Sequence, residues 1–112
     1  MSERQLFVLQ RLSALVMAPM VLLHLGVILY ATRTGLSAEA ILTRTGSTWL
    51  WPAFYAAFVL AVTVHVPIGV RNVLREWTPL SRGAVNGIAI AAAAACLILG
   101  LRAVWAISGW AA

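Results

Sequence analysis

The chain has 112 residues, 62% of them hydrophobic and 10% charged, with a formal net charge of +5. A soluble domain is typically about 45–50% apolar and about 25% charged, so a soluble enzyme, a disordered tail and a disulfide scaffold are excluded and the composition is that of a chain held in lipid. All basic residues are arginines and they are spread singly, so no basic run exists to follow a phosphate backbone and no nucleic-acid partner is expected.

In chain order, the first apolar segment covers roughly residues 7–31. It reads as a span and not as a cleaved signal peptide, because the apolar stretch is too long and no small-residue cleavage site with a soluble domain follows. Residues 32–49 form an outer loop, in which Ser37 is expected to cap a short interfacial helix ending near Gly46. The second span covers roughly 50–73, an inner loop 74–83, and the third span roughly 84–107. Each reaches the roughly 20 residues that cross a bilayer. Each must be helical, because only a helix satisfies its own backbone polar groups in hydrocarbon. The expected fold is an all-α membrane protein over 1–112, a single domain of three transmembrane helices running up-down-up.

Arg4, Arg11, Arg71, Arg75 and Arg82 fall on one side and Arg33, Arg44 and Arg102 on the other. This bias places the N-terminus in the cytoplasm. Tyr30, Trp49, Trp51, Trp105 and Trp110 gather at the outer interface and Trp77 at the inner one, where a ring with an N–H or O–H is favoured. Gly83, Gly87, Ala91 and Ala95 form a small-residue face on the third helix. That face suits close packing either within the three-helix unit or against a second subunit. Cys96 lies in an apolar stretch without metal-ligand spacing.

No Asp, Glu or Lys lies deep in a span, which argues against an ion-coupled transporter. The intramembrane candidates are His24 and His65. At 1.5 Å per residue, His24 lies roughly 20 Å above Arg11 and His65 roughly 9 Å from Arg71, a difference in depth of about 10 Å. A metal takes imidazole nitrogen at roughly 2 Å, so one ion does not bridge the two residues. Two stacked sites fit better. Each lacks an axial ligand for a six-coordinate haem, so the chain reads as half of a haem-binding helical bundle.

Gly69 lies one turn from His65 and is expected to leave space for a flat macrocycle. Pro67 removes a backbone donor beside it. Arg71 can pair with a haem propionate or with membrane phospholipid. Arg11 and Ser13 open helix one as a pair able to hydrogen-bond a quinone carbonyl or a propionate. The alternatives are packed histidines, His65 bonded to Thr63 or a neighbouring helix, and a snorkelling Arg11.

Gln10-Arg11-Leu12-Ser13-Ala14 resembles the Arg-x-Ser signature of the succinate dehydrogenase/fumarate reductase cytochrome b membrane-anchor family. His65-Val66-Pro67-Ile68-Gly69-Val70-Arg71 resembles that family's His-x-x-x-Gly-x-Arg segment, in the corresponding second helix. The resemblance implies an anchor that holds flavoprotein and iron–sulfur subunits on the inner face of a bacterial cytoplasmic membrane. It implies that electrons pass through haem b to or from quinone, while the dicarboxylate chemistry belongs to the partners. It maps the haem ligand onto His65, a distal-haem ligand onto His24 and a quinone- and propionate-adjacent role onto Arg11, with Ser13 its companion. The family's serine one turn before the arginine is Phe7 here. The companion anchor's Asp-Tyr pair is matched by Glu76-Trp77, so Trp77 offers an indole N–H in place of the tyrosine hydroxyl. A second anchor subunit, or a second copy of the chain, is expected to complete the ligands. The competing expectations are a haem-free structural anchor and a small membrane scaffold or assembly protein.

Overall fold

The computed structural model describes residues 1–110. Four helices follow in order, α1 (Glu3–Thr34), α2 (Ala38–Thr45), α3 (Leu50–Trp77) and α4 (Arg82–Ser108). There is no strand among the described residues. The three long helices are apolar enough to cross a membrane. The body measures 47 × 25 × 22 Å, matching a bilayer of about 40–45 Å including headgroups.

α1 and α4 run past their apolar segments because caps, not hydropathy, set their ends, whereas α3 begins after Trp49 with no side-chain cap. α1 starts in a capping box: the Ser2 hydroxyl accepts from the Gln5 amide at 3.1 Å, and the Gln5 side-chain carbonyl accepts from the Ser2 amide at 2.9 Å. It stops at Gly35, whose φ of 137° is open to glycine and strained for other residues. α4 starts on Ser81, whose hydroxyl accepts from the Ala84 amide at 3.1 Å, and stops at Gly109 with φ 78°. α1 and α3 run unbroken through Pro19 and Pro67.

The short outer helix forms as expected. Ser37 caps α2 by accepting from the Ala40 amide at 3.1 Å, and Gly46 closes it on the Leu42 carbonyl at 2.8 Å. Arg44 donates to the Gly35 carbonyl at 2.7 Å, and its guanidinium lies 5.8 Å from the Tyr30 ring centre. Thr45 donates to the Ile107 carbonyl at 2.8 Å, pinning α2 to the end of α4. Ser37→Ala should cost about 1 kcal/mol of local stability. Amide exchange would then quicken across α2 and not in the long helices; unchanged exchange there would contradict the cap.

α3 is the central element, with α1 and α4 both packed on it. The buried apolar residues are Ile68, Val85 and Ala89 towards the N-terminal end and Ala31, Pro52 and Val104 towards the α2 end. α4 comes close to α3 at Gly100, where an added Cβ would lie 2.6 Å from a Val59 methyl. The Gly83, Gly87, Ala91 and Ala95 stripe is exposed, and a Cβ at Gly83 or Gly87 would meet nothing within 4 Å. Packing of that stripe within the three-helix unit is therefore corrected: α4 turns the face of Val85, Ala89 and Gly100 to α3. Large side chains such as Leu15, Leu22, Leu29, Ile90 and Ile98 stay exposed, as lipid- or partner-facing positions do.

Candidate functional site: two histidine levels between α1 and α3

Three contacts fix the register of α1 against α3. Glu3 meets Arg71, Ser13 meets His65, and His24 meets Tyr55 and Phe58. Positions rising along α1 thus meet positions falling along α3, and the helices are antiparallel. Ser13 and His24 are separated by about 16 Å along α1, at 1.5 Å per residue. The two imidazoles therefore occupy separate levels, and one ion does not bridge them.

At the lower level, nearer the N-terminus, Ser13 is buried and its Oγ lies 3.1 Å from Nδ1 of His65. The same hydroxyl donates to the Gln10 carbonyl at 3.0 Å. Among the described residues Nε2 of His65 has no hydrogen-bond partner, and the atom is not fully buried. Thr63 does not bond the histidine; its hydroxyl donates to the Val59 carbonyl at 2.8 Å.

Gly69 does not face open space. Nε2 of Gln10 sits 3.3 Å from where a Cβ would be, so the tip of that side chain lies against the expected open face of Gly69. The reason is helical spacing. Gln10 and Ser13 are three apart and share one face of α1, and that face is turned to α3. Oε1 of Gln10 is buried without a partner.

The same spacing separates Arg11 from Ser13. Two residues apart on a helix is about 200° of rotation, so the expected pair does not form one constellation. Arg11 is exposed, with its guanidinium 4.9 Å from the Phe7 ring centre. It lines a groove of about 590 Å³ with Glu3, Gln10, Asn72 and Glu76.

Arg71 forms an ion pair with Glu3, donates to Asn72 Oδ1 at 3.3 Å, and Arg75 joins the same carboxylate at 3.1 Å. This cluster ties the start of α1 to the last turns of α3. Arg71 also lines a cavity of about 870 Å³ with Pro67, Ile68, Arg82 and Asn86. Trp77 is 80% exposed and stands apart from His65, three helical turns further along α3.

At the upper level, the His24 ring packs edge-on against Tyr55 and Phe58, with centroids 5.6 and 5.5 Å away. Its Nδ1 is buried and has no hydrogen-bond partner among the described residues. His24 lines a cavity of about 370 Å³ that α2 covers through Ile41, Arg44 and Thr45. Trp51 stacks on Tyr55 at 6.3 Å, and Trp105 meets Trp110 at 5.7 Å, both pairs at the α2 end.

Sequence reasoning missed four contributors. Glu3 was legible as an acid at the same end as Arg71 and Arg75. Gln10 was legible as the residue three before Ser13. Tyr55 and Phe58, as His24's neighbours, needed the register of α3.

Among the described residues, no three His, Cys, Asp or Glu side chains converge as a metal site. Each histidine level offers one imidazole. His65 has one ring nitrogen in a hydrogen bond and the other without a partner among the described residues, a pattern that suits a metal-binding imidazole. His24 lacks the first of these. No curated protein and no solved structure matches the chain. The family model for the succinate dehydrogenase/fumarate reductase transmembrane subunit matches residues 2–101. With that match across nearly its whole length and three helices able to span a membrane, the chain belongs to the family of succinate dehydrogenase/fumarate reductase transmembrane subunits.

Proposed function

We propose that the chain is the haem b-binding membrane anchor of a succinate:quinone oxidoreductase-type complex, with His65 as one axial ligand. The observation that carries the reading is His65 itself, with Nδ1 tied to the buried Ser13 and Nε2 left free inside a span. Haem b, when bound, supplies one-electron transfer between the iron–sulfur partner and membrane quinone. A second ligand to the group would come from a second anchor subunit or a second copy of the chain.

In this reading His65 binds and orients the group while the apolar walls of α1 and α3 keep water away. Arg71 and Arg82 face the side where propionates or phospholipid headgroups carry negative charge. Arg11, with Gln10 and Asn72 in the same groove, offers N–H donors to a quinone carbonyl. Trp77 offers its exposed indole N–H at the same end. The arginine bias supports a cytoplasmic N-terminus in a bacterial inner membrane. The flavoprotein and iron–sulfur subunits then dock on the end formed by the start of α1 and the α3–α4 turn.

We assign one haem per chain pair, at the lower level. A ligating imidazole donates its other N–H to an acceptor, and Nδ1 of His24 has none. His24→Ala is expected to leave haem content unchanged in the purified complex; loss of a haem would assign a second site there. One observation favours a haem-free anchor instead, namely Gln10 packed on Gly69. Purification of the tagged chain in mild detergent tests the assignment. Flavoprotein and iron–sulfur subunits should co-purify, and succinate should reduce a b-type haem in the sample. Co-purification without haem would leave the haem-free anchor, and neither would leave a scaffold.

A further inference from the structure

We propose that Ser13 is a positioning residue for His65, fixing the imidazole tautomer and raising the basicity of Nε2. The inference rests on the reading of His65 as an axial haem ligand. Ser13 is only 7% exposed, and its Oγ has two neighbours, the Gln10 carbonyl at 3.0 Å and Nδ1 of His65 at 3.1 Å. A serine hydroxyl has one proton and two lone pairs. With the proton on the Gln10 carbonyl, Oγ is an acceptor towards the ring.

A neutral imidazole has one N–H, and this arrangement puts it on Nδ1, the tautomer being assigned from the partners. Nε2 then carries a lone pair and no proton, which is the form a metal takes. Donation of the Nδ1 proton into an acceptor also increases the electron density at Nε2 and fixes the ring plane. The back-bond from Ser13 to the carbonyl three residues earlier holds the hydroxyl rotamer, so the acceptor is set before any ligand arrives. His24 is the internal contrast, packed by Tyr55 and Phe58 with no group to choose its tautomer.

The test uses the complex purified with wild-type, Ser13→Ala, Ser13→Thr and His65→Ala chains. Alanine is a better helix former than serine, so Ser13→Ala keeps α1 intact. Threonine retains the hydroxyl and can make the same back-bond. Ser13→Ala is expected to lower haem affinity roughly 10–100-fold, read as faster haem loss to an acceptor apoprotein. The haem it retains should show a raised midpoint potential and altered low-spin ferric EPR g-values, because a less basic imidazole stabilises ferric iron less. Ser13→Thr should restore all three readouts.

Unchanged haem loss, potential and g-values in Ser13→Ala would overturn the role of Ser13 while leaving His65 as ligand. A Ser13→Thr complex that behaves like Ser13→Ala would also overturn it, since the hydroxyl would not be the cause. Haem retained at wild-type level in His65→Ala, or absent from the wild type, would overturn the ligand reading and this inference with it.

Discussion

His65→Ala is expected to remove the b-type haem from the assembled complex while the complex itself survives. The imidazole has a single hydrogen bond, to Ser13. Losing one such bond costs about 1 kcal/mol, too little to dismantle a helix pair also joined by the Glu3–Arg71 ion pair. No other nitrogen replaces it, since His24 lies about 16 Å further along α1 at the helical rise. Because loss of a group that merely supports a ligand lowers metal affinity by roughly 10–100-fold, loss of the ligand should lower haem content at least that much. Succinate-to-quinone electron transfer should fall with it, and flavoprotein and iron–sulfur subunits should still co-purify. Haem content, checked by a pyridine haemochrome assay against protein, decides the matter.

Gly100→Ala should destabilise the α3–α4 pair more than any other single methyl added to a glycine of α4. The new Cβ would lie 2.6 and 2.8 Å from the two Val59 methyls and 3.2 Å from its Cβ. Valine is stiff at χ1, so it cannot swing clear and the helices must part. Overpacking of this kind costs about 1–3 kcal/mol. Gly87→Ala is the matched control, because its Cβ would meet nothing within 4 Å and alanine is the better helix former by about 0.5–1 kcal/mol. Thermal inactivation of the detergent-solubilised complex should show Gly100→Ala unfolding earlier and Gly87→Ala unchanged or later. Equal stability of the two would contradict the packing of α4 on α3 described above. A stable Gly87→Ala chain that fails to assemble would place a partner on the exposed stripe.

What was legible in the sequence follows from what the bilayer demands. Span lengths, the cap at Ser37 with the stop at Gly46, and the separate depths of His24 and His65 all depend on composition, capping chemistry and the helical rise. Each reappears in α1 to α4. The faces of the helices were not legible in the same way. In water the polar side marks the outside, but in lipid every side of a span is apolar, so hydropathy does not say which side meets a neighbour. That is why the small-residue reading picks out Gly83 and Gly87 and passes over Gly100, which makes the contact. It is also why Arg11 and Ser13 read as a pair before the register turned Ser13 inward and left Arg11 on Phe7. Gln10 against Gly69 is a third case, since a glycine shows that something comes close and not what it is.

The reduced-minus-oxidised visible spectrum of the purified complex, with a haem-to-protein ratio, decides whether His65 holds a haem. A b-type signal is expected that persists in His24→Ala and is lost in His65→Ala. A wild-type complex that holds its flavoprotein and iron–sulfur subunits but gives no b-type signal would contradict it, and would return His65 and Ser13 to the role of a polar contact between two membrane helices.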